Sequence, residues 1–569
     1  MSGRFIISVA LVAILSAAPL LASDVICAGD CNYDGAARMD ELVTGVNIAL
    51  GNRPITACAG FDPGGDGQVT VDELLGGVRN ALDGCPRARF EPAACDPVLL
   101  PDGQDIAKLR CGALIVPENR RRQNGHTIRL ASVVLRATGP HPSPDPLVVL
   151  SGGPGQWALA SVLPVFTGDF AAPLQAKRDL VFFDQRGTGR TQPALNCPEV
   201  LAQSDRYAEL LTPPEEAERD ARNVVACHDR LTAAGNDLAG YNSAATAQDI
   251  ADLMTALGYD RFNLYGLSYG TRVALTALRD LPNQRIRSAV LDSVVPLQVD
   301  FTGDAAAVSR SFDLLVADCA ANAGCDRAYP NLRQTTADLY DRLNAAPPTL
   351  QPMAPDGHLF TVVLTGDRLI RLAGNSLQSA ALIPFLPFFT NRLASGDTTL
   401  VTGALGQIGG PELYSPGAQL SVLCNEEWPF VTPEKIALAN QGVDAMFVRA
   451  YSADAYLDDT LLAACAQWGA APDALDNQSV SSEVPALVFA GQYDTATPPA
   501  WSQLAAAALP HSFFFEFRGF GHVVLFQQTA PTGPPACAMQ VLAQFLDDPT
   551  HAPDGSCVAA IPPPAFIGS

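Results

Sequence analysis

The chain has 569 residues, of which 48% are hydrophobic and only 17% charged, and its formal net charge at pH 7 is −23. A chain of this length and composition can bury a large core, which excludes a largely disordered protein. The negative charge argues against nucleic-acid binding, because an acidic surface repels phosphates.

The first 23 residues have the pattern of an export signal. Arg4 supplies a positive charge, residues 5–15 form an almost unbroken apolar run, and small residues come next. This run is shorter than the roughly 17–25 residues that a membrane span requires. We therefore predict a signal peptide over residues 1–23, cleaved near Ala22 or Ser23, and a secreted or periplasmic mature protein with no membrane span.

The fourteen cysteines agree with export, because disulfides persist in oxidising compartments. Neighbours along the sequence suggest five bonds: Cys95–Cys111, Cys197–Cys227, Cys319–Cys325, Cys424–Cys465 and Cys537–Cys557. Four further cysteines are left for the N-terminal region, with their pairing open: Cys27, Cys31, Cys58 and Cys85.

Two acidic loops of twelve residues, 30–41 and 62–73, indicate a small all-α calcium-binding module over residues 24–87. Calcium prefers oxygen ligands, and a loop of this type supplies them from fixed positions and ends on a bidentate carboxylate. The predicted ligands of the first loop are Asp30, Asn32, Asp34, the carbonyl of Ala36, and Glu41. Those of the second loop are Asp62, Asp66, Gln68 and Glu73. Because Gly64 stands where a further ligand is expected, the second site should be weaker.

Each acidic loop runs into a helical pattern, so the unit reads as loop and helix, twice. This arrangement resembles a dockerin more than a paired EF-hand, although dockerin loops usually end on Asp where this chain has Glu41 and Glu73. The predicted Ca²⁺ is structural. Whether the module binds a cohesin-like or cell-surface protein, or only stabilises the chain, stays open.

From about residue 95 onward, apolar strands alternate with helical segments, which predicts an α/β fold with a mostly parallel sheet. Seven strands are predicted, at 133–135, 147–150, 180–183, 262–265, 289–291, 486–490 and 513–517.

The sequence Gly-Leu-Ser-Tyr-Gly at 266–270 follows a predicted strand and opens a predicted helix. This is the context of a nucleophile elbow, a turn so tight that small residues must flank the serine at a distance of two. The motif predicts Ser268 as the nucleophile and aims the Tyr269 N–H at the site as one oxyanion donor. Gly153 follows an earlier strand, in Gly-Gly-Pro-Gly at 152–155, and is predicted to supply the second donor.

A serine hydroxyl needs a base, and the base needs an orienting carboxylate, which in this fold follow in the order Ser, acid, His. Asp494 and His522 each follow a predicted strand in that order, which predicts a Ser268–His522–Asp494 triad. Asp292, after the strand at 289–291, is the rival acid.

Taken together, Gly-Gly-Pro-Gly at 152–155, Phe-Asp-Gln-Arg-Gly-Thr-Gly at 183–189, the serine motif and the loops of Asp494 and His522 resemble proline iminopeptidases. The secreted tripeptidyl-aminopeptidase branch is the most similar, and the resemblance covers roughly residues 95–557. It implies an α/β-hydrolase fold with an inserted helical cap, an activity that releases short N-terminal units from peptides, and structural roles for Asp184 and Arg186. One departure is Ser151, where the family often has His or Pro.

The long gap between Ser268 and Asp494 predicts where the cap is inserted. The expected domains are a first core part at 95–300, a cap at 301–480 and a second core part, with a tripeptidyl-aminopeptidase-like C-terminal region, at 481–569. Helical patterns within the cap lie at 313–320, 337–343 and 436–450, and 383–389 reads as a buried apolar segment. Such a cap would exclude water and restrict entry to short or extended chains.

Two adjacent carboxylates, Glu426 and Glu427, stand beside Trp428 in the cap. An aminopeptidase must hold a free ammonium group, which a carboxylate pair can do, and a solvated acidic turn is the competing interpretation.

The sequence thus predicts a serine aminopeptidase, acting through an acyl-enzyme without a catalytic cofactor, with short peptides as substrates. One alternative is an esterase or lactonase that uses the same triad, because fold and triad do not determine which bond is cleaved. The other is a calcium-dependent scaffold-docking protein with a secondary hydrolase domain.

Overall fold

The computed structural model describes residues 28–31, 36–62, 67–84, 88–96, 108–120, 126–168, 170–200, 203–299, 303–409, 413–452, 464–468, 472–527 and 536–568. The predicted signal peptide lies outside these ranges, and so do Cys27, Cys85 and three predicted calcium ligands, Asn32, Asp34 and Asp66.

A nine-stranded sheet forms the centre of the fold. The strands in chain order are β1 (Arg89–Ala93), β2 (Leu109–Pro117), β3 (Thr127–Leu135), β4 (Leu147–Leu150), β5 (Leu180–Phe183), β6 (Phe262–Leu267), β7 (Ile286–Asp292), β8 (Thr349–Leu350), β9 (Val362–Val363), β10 (Ala486–Gly491) and β11 (Ser512–Phe517). The order across the sheet is β1-β2-β3-β5-β4-β6-β7-β10-β11, and β8 and β9 pair separately. Pairing is antiparallel from β1 to β5 and parallel from β5 to β11. The predicted mostly parallel sheet is confirmed, and each of the seven predicted strands lies within an observed one.

The helices, numbered in chain order, are α1 (Met39–Ala49), α2 (Val71–Asp83), α3 (Ala172–Gln175), α4 (Gln203–Arg206), α5 (Pro213–Ala233), α6 (Ser243–Leu257), α7 (Tyr269–Asp280), α8 (Asp304–Ala321), α9 (Ala323–Ala328), α10 (Leu332–Ala345), α11 (Gly366–Leu377), α12 (Leu386–Ala394), α13 (Thr399–Leu405), α14 (Pro416–Glu426), α15 (Pro433–Ala439), α16 (Ala445–Ser452), α17 (Pro499–Ala508), α18 (Cys537–Asp547) and α19 (Ser556–Ala559). Short 3-10 turns include Trp428–Phe430 and Val524–Phe526, and a π-helical turn covers Ala158–Val162. Within the described residues, no helix combines the length and apolar character that a membrane span needs.

The central strands are buried along their whole length because helices cover both faces of the sheet. Alternate residues of β4 belong to different cores: Val148 and Leu150 pack with α6 and α7, and Leu147 and Val149 pack with α18. This alternation is the period-2 geometry of a strand. Because the strands from β5 to β11 run parallel, their carboxyl ends lie at one common edge of the sheet. The loops that carry the predicted triad begin at this edge.

The segment between β7 and β10 is mostly helical and forms most of two further hydrophobic clusters, one of which also includes Tyr493 and Phe566. Its helix α14, however, packs with the cluster that covers the sheet. The predicted domain boundaries, 95–300, 301–480 and 481–569, stay predictions.

Two details of this segment differ from the sequence predictions. The helix predicted at 436–450 is two helices, α15 and α16, because the chain turns at Gly442 with a φ of +77°. Glycine adopts this left-handed conformation without a steric penalty, so it ends the first helix. In the segment 383–389, predicted as buried, Ile383 is buried but the Phe385 side chain is exposed.

The N-terminal helices α1 and α2 pack around Phe61, which is fully buried. A Cβ added to Gly45 or Gly77 would lie 2.5 Å from the Phe61 ring, so both glycines are needed for this close approach. Cys31 and Cys58 form a disulfide beside this small core.

The five disulfides predicted from sequence neighbours are all present and therefore confirmed. They lie in both the sheet-forming and the helical segments, so they fasten local loops throughout the described chain.

Candidate active site

Ser268 occupies a tight turn between β6 and α7, with φ 53° and ψ −127°. This is a backbone conformation that residues with side chains rarely adopt. A Cβ added to Gly266 would lie 2.4 Å from the Gly270 carbonyl oxygen, and one added to Gly270 would lie 2.1 Å from the Leu150 carbonyl oxygen. The two glycines of the motif are thus sterically required, and Ser268 is held at the carboxyl edge of the sheet, partly exposed.

Asp494 and His522 are hydrogen-bonded to each other at the same edge. His522 Nδ1 lies 2.9 Å from Asp494 Oδ2 and 3.1 Å from Oδ1. The Asp494 carboxylate also accepts hydrogen bonds from the N–H groups of Ala496 and Thr497 and from the Thr497 hydroxyl, the last at 2.7 Å. Because both carboxylate oxygens are occupied, Asp494 is fixed in position and fixes the imidazole in turn.

The pKa values of His522 and Asp494 are shifted in opposite directions. Burial alone lowers the pKa of His522, but the charge and hydrogen bond of Asp494 outweigh it and raise the pKa above its ordinary value. Burial raises the pKa of Asp494, but the charge and hydrogen bond of His522, together with the bonds from Thr497, hold it below its ordinary value. The arrangement favours a carboxylate beside an imidazolium, which is the state that a base reaches after accepting a proton.

Asp292, the rival acid, has different partners. Its carboxylate accepts hydrogen bonds from the Tyr265 hydroxyl and from the N–H groups of Val524 and Leu525, at 2.8–2.9 Å. Burial raises the pKa of Asp292 to about 6. Its oxygens hold the backbone that follows His522, whereas His522 Nδ1 is bonded to Asp494.

The same segment links the serine turn to the histidine loop. The Ser268 N–H donates to the Asp292 carbonyl oxygen at 2.9 Å, and the Val523 N–H donates to the Ser293 hydroxyl at 2.8 Å. The two loops that carry Ser268 and His522 are therefore anchored to adjacent residues at the end of β7.

The loop predicted to supply an oxyanion donor lies against the serine. A Cβ added to Gly152 would lie 3.1 Å from Ser268 Cβ, and the Gly152 N–H donates to Gln156 Oε1 at 3.0 Å. Gly153, the predicted donor, follows with a φ of +108°. Tyr269, the other predicted donor, is the first residue of α7. Tyr269 thus adjoins Ser268 in sequence, and Gly153 adjoins Gly152, the residue that lies against Ser268; their roles as oxyanion donors stay predictions.

A cavity of about 230 Å³ opens beside these groups. Gly153 and Pro154 form one part of its wall, and Thr495 and Ala496, directly after Asp494, form another. Gln378 also lines it, and its carbonyl oxygen accepts the His522 N–H at 2.9 Å. The cavity therefore adjoins the loop that contacts Ser268 and the residues that follow Asp494, and none of the three triad residues is among the described residues that line it.

Asp184 and Arg186, which the resemblance assigns to structural roles, are buried and hydrogen-bonded within the protein. Asp184 accepts the N–H groups of Leu159 and Arg190, and burial raises its pKa to about 6. Arg186 donates to both carboxylate oxygens of Asp249, each at 2.8 Å.

Glu426 and Glu427, predicted to hold a substrate amine, lie in a buried ion pair with Arg272, one turn after Ser268 on α7. Arg272 Nη1 lies 2.6 Å from Glu427 Oε1, and Nε lies 3.2 Å from Glu426 Oε2. Glu426 also accepts the N–H and the hydroxyl of Ser243. All three ionic side chains are at most 2% exposed, and neither glutamate is among the described residues that line the cavity. Amine binding by Glu426 and Glu427 stays a prediction. In the structure, both carboxylates are paired with the Arg272 guanidinium.

The described part of the calcium module places several predicted ligands. Asp30 and Glu41, the first and last ligands of the first loop, are both nearly buried, and Glu41 accepts the N–H groups of Cys31 and Arg38. In the second loop Asp62 accepts the Gly67 N–H, and Glu73 accepts the Thr70 N–H. Ala36 and Gln68 are also described. Each bonded carboxylate retains lone pairs that could bind a cation, so the donor chemistry fits Ca²⁺.

Sequence reasoning missed Thr497, whose hydroxyl bonds the Asp494 carboxylate, and Asp304, which lines the cavity from the start of α8. A signal for Thr497 was available, because Thr three residues after a strand-end Asp is placed to bond the carboxylate locally. Asp304 has no local signal, since only the folded chain brings α8 to the cavity.

The sequence of this chain is similar to a family model and to several known proteins. A family model described as alpha/beta hydrolase fold matches residues 145–529. The chain is 26% identical over 476 residues to serine protease Hip1 of Mycobacterium tuberculosis, covering 78% of this chain and 86% of that protein. It is 29% identical over 197 residues to the tripeptidyl aminopeptidase of Streptomyces coelicolor, covering 33% and 35%. It is also 31% identical over 150 residues to carboxylesterase B of Mycobacterium tuberculosis, covering 24% and 28%.

Proposed function

The chain belongs to the alpha/beta hydrolase fold family, and from this premise we propose that it is a secreted serine aminopeptidase that releases short N-terminal units from peptides. Ser268, His522 and Asp494 form its catalytic triad. The observation that carries this proposal is the 2.9 Å pairing of His522 with Asp494 at the sheet edge where the Ser268 turn ends.

In the proposed reaction, the Ser268 hydroxyl oxygen attacks the scissile carbonyl carbon as its proton passes to His522 Nε2. Asp494 stabilises the resulting imidazolium and holds the tautomer in which Nδ1 carries a proton. His522 then protonates the leaving amine, and the N-terminal unit remains as an ester on Ser268. A water molecule, deprotonated by His522, hydrolyses that ester and returns Ser268 to its starting state.

The negative oxygen formed at each attack needs donors, and the N–H groups of Gly153 and Tyr269 are proposed for this role. Loss of one such donor can cost about 2.7–4 kcal/mol of transition-state stabilisation. The loop at 152–155 supports this role because it lies against Ser268, where a Cβ at Gly152 would make a tight contact with the serine.

Release of short units is supported by the size of the cavity and by the similarity to the tripeptidyl aminopeptidase. About 230 Å³ is less than the roughly 300–1,000 Å³ of typical small-molecule sites. A space of this size suits a short N-terminal unit.

The proposal is tested by release of a fluorophore from Pro-, Ala-Ala-Pro- and N-acetyl-Ala-Ala-Pro-amides. We expect cleavage of the free peptides, a loss of at least about 10⁴-fold in Ser268→Ala, and wild-type rates in the control Ser395→Ala, at an exposed site. The acetylated amide should be a poor substrate. Amide cleavage that survives in Ser268→Ala would contradict the proposal.

An esterase or lactonase is the second candidate, and the similarity to carboxylesterase B favours it. The same experiment distinguishes the two, since Ser268-dependent turnover of simple esters without any amide cleavage would assign the site to ester hydrolysis.

We further propose that the N-terminal module binds structural Ca²⁺, more strongly in the loop of Glu41 than in that of Glu73. Calcium at 100 times its dissociation constant would add about 2.7 kcal/mol to the unfolding free energy of the module. Thermal unfolding with calcium or with a chelator tests this, and Glu41→Gln should lose most of the calcium-dependent shift. A melting curve indifferent to calcium would contradict it.

Docking of this module to a protein partner, cohesin-like or cell-surface, is also a proposal. It is favoured by two matching sets of exposed apolar side chains, one on α1 and the residue after it and one on α2, which are Met39, Val43, Val46, Leu50, Val71, Leu75, Val78 and Leu82. Exposed contiguous apolar surface is typical of interaction sites. Calcium-dependent capture of a cell-surface protein by wild type, lost in Leu50→Ser, would support docking, and capture unaffected by chelator and by Leu50→Ser would contradict it.

A further inference from the structure

Glu426, the last residue of α14, reaches the serine turn through one intervening side chain. Its carboxylate accepts the N–H and, at 2.6 Å, the hydroxyl of Ser243, the first residue of α6. Ser243 Oγ lies 2.8 Å from the Tyr269 hydroxyl oxygen. Because the one hydroxyl proton of Ser243 is donated to Glu426, the proton between Ser243 and Tyr269 comes from the tyrosine. The three side chains therefore form a directed chain of hydrogen bonds from Tyr269 through Ser243 to the Glu426 carboxylate.

This chain ends on a residue of the proposed oxyanion hole. The N–H of Tyr269 is one of the two proposed donors, and the hydroxyl that Ser243 holds belongs to the same residue. The Tyr269 side chain is only 3% exposed, so packing and the hydrogen bond together fix it in place. An oxyanion donor must lie about 2.7–3.1 Å from the developing charge, so a small displacement of Tyr269 weakens it. The neighbouring Ser268 has a φ of 53°, a conformation that persists only where surrounding contacts hold it.

The same carboxylate also holds the next turn of α7. Arg272 Nε lies 3.2 Å from Glu426 Oε2, and Arg272 Nη2 donates to the Glu426 carbonyl oxygen at 3.1 Å. Glu427 is paired with Arg272 as well, at 2.6 Å, whereas the Ser243 N–H and hydroxyl both donate to Glu426. The two glutamates therefore differ in their connection to Tyr269, although both are at most 2% exposed and have the same functional group.

The stretch 413–415, which leads into α14, holds the loop of the other proposed donor, Gly153. Two backbone hydrogen bonds of 2.9–3.0 Å join this stretch to Gly155 and Trp157. Residues 413–426 thus contact the elements of both proposed oxyanion donors, one through the backbone and the other through the Glu426 side chain.

We propose that Glu426 is a positioning residue for the reaction. Through Ser243 it fixes Tyr269, and thereby the oxyanion donor and the serine turn, in the geometry that catalysis needs. This inference rests on the proposed oxyanion role of Tyr269, and it holds for amide and ester substrates alike. It makes the segment between β7 and β10 part of the catalytic framework, and it gives Glu426 a role different from holding a substrate amine.

The first test removes each link in turn, with Tyr269→Phe, Ser243→Ala and Glu426→Gln. In each variant, Ser268-dependent hydrolysis of an uncharged p-nitrophenyl ester should lose about 10- to 100-fold in kcat with little change in KM, because the affected interaction is made in the transition state. The matched control is Tyr340→Phe, which removes another buried hydroxyl bonded to a carboxylate and should hydrolyse the ester like wild type. A kcat equal to that of the control in Tyr269→Phe and Ser243→Ala would overturn the proposal.

Two further variants separate the hydrogen-bonded chain from a general effect on the buried ion pair. Glu427→Gln removes a carboxylate from the same ion pair without removing a bond to Ser243, so it should lose much less kcat than Glu426→Gln. Tyr269→Phe combined with Ser243→Ala should lose no more than the larger single loss, since both changes cut the same chain. Equal losses in the two glutamate variants, or multiplied losses in the double variant, would overturn the proposal.

A transition-state analogue gives a readout that a merely structural role would not move. The carbonyl carbon of Ala-Ala-prolinal forms a bond with Ser268 Oγ, and its oxygen then lies where the oxyanion forms, whereas the alcohol Ala-Ala-prolinol forms no such bond. In Tyr269→Phe and Glu426→Gln, the inhibition constant of the aldehyde should rise about 10- to 100-fold and that of the alcohol should not change. An equal rise for both inhibitors would indicate a general loss of binding and overturn the positioning role.

The N-terminus of the aldehyde separates positioning from amine binding. The same rise for the free and the N-acetylated aldehyde in Glu426→Gln would support positioning. A rise confined to the free aldehyde would overturn it and return Glu426 to amine binding.

The outcomes also distinguish this proposal from the aminopeptidase. Loss of ester kcat in Glu426→Gln and Ser243→Ala, without any amide cleavage by wild type, would support positioning and contradict the aminopeptidase. Amide cleavage by wild type, with unchanged kcat and unchanged aldehyde inhibition in those variants, would support the aminopeptidase and overturn positioning.

Discussion

Two buried aspartates at the ends of neighbouring parallel strands differ in what they bind: Asp292 is the last residue of β7, and Asp494 lies shortly after β10. Asp494 is bonded to an imidazole, and the pKa of Asp494 lies below its ordinary value. Asp292 is bonded to a phenol and two backbone N–H groups, and burial raises its pKa to about 6. Both are fully buried.

The difference shows that position at the sheet edge does not by itself make a carboxylate part of the chemistry. Asp494 gains a titratable partner that can become positively charged, so it can orient and stabilise a base. The hydrogen bonds that Asp292 accepts come from neutral donors and hold the segment after His522 in place, and Asp292 acts on His522 through its charge.

The largest effect is expected for Asp494→Asn. An amide can keep the local geometry but favours the wrong imidazole tautomer, and in a comparable triad this lowers kcat by about 10⁴-fold. Steady-state kinetics on the best substrate, ester or amide, should show this loss.

Asp292→Asn should lower kcat far less, because the Asp292 carboxylate is hydrogen-bonded to the backbone of the histidine loop and not to His522 Nδ1, and acts on the imidazole through its charge alone. Equal losses in the two variants would remove the distinction between orienting acid and structural carboxylate.

The contributions of Asp292 and Asp494 to the free energy of unfolding should also depend on pH in opposite ways. The folded-state pKa of Asp292 is raised, so its contribution is present below the unfolded-state value of about 3.9 and is lost as pH rises through about 6. The folded-state pKa of Asp494 is lowered, so its contribution is present above the unfolded-state value and is lost as pH falls through the lowered one.

Urea unfolding of wild type, Asp292→Asn and Asp494→Asn between pH 3 and 7 measures these contributions to the free energy of unfolding. The stability advantage of wild type over Asp292→Asn should shrink by about 1–3 kcal/mol as pH rises, and its advantage over Asp494→Asn should grow. Parallel curves for the two variants would show that the aspartates have the same electrostatic environment.

A smaller effect is expected for Thr497→Val, which removes one hydrogen bond of 2.7 Å to Asp494 and keeps the shape of the side chain. A bond to a charged group contributes about 1.5–3 kcal/mol, so kcat should fall by about ten-fold and the pKa of Asp494 should rise. Thr336→Val, at a buried hydroxyl bonded within α10, is the control. A kcat equal to that of wild type would mean that the two backbone N–H groups suffice to hold Asp494.

The parts of the site that sequence could predict are those with a local signature. The Ser268 turn is determined by its own two glycines, and Asp494 and His522 are identified by their order and by the strands before them. Strands β4 to β7 were predictable because their continuous apolar runs are typical of parallel strands covered on both faces. The antiparallel strands β1 and β2 were not predicted, since β1 is short and has no buried residue, and β2 includes Arg110, Gly112 and Pro117 in its run.

The contacts that sequence could not predict join distant parts of the chain. Arg272 and Glu426 meet through the packing of α14 on α7, and nothing near either residue indicates that pairing. A pair of adjacent glutamates beside a tryptophan looks the same in sequence whether it faces solvent, a substrate or a buried arginine. The surroundings of Glu426 and Glu427 could therefore be known only from the fold.

The central claim is that Ser268 is a nucleophile activated by the His522–Asp494 pair, and covalent labelling tests it most directly. The protein would be treated with a fluorophosphonate and digested, and the modified peptide identified by mass spectrometry. We predict a single stoichiometric adduct on Ser268, strongly slowed in His522→Ala and Asp494→Asn but formed readily in Asp292→Asn. Absence of an adduct on Ser268, or labelling of another residue at the same rate in all variants, would contradict the account.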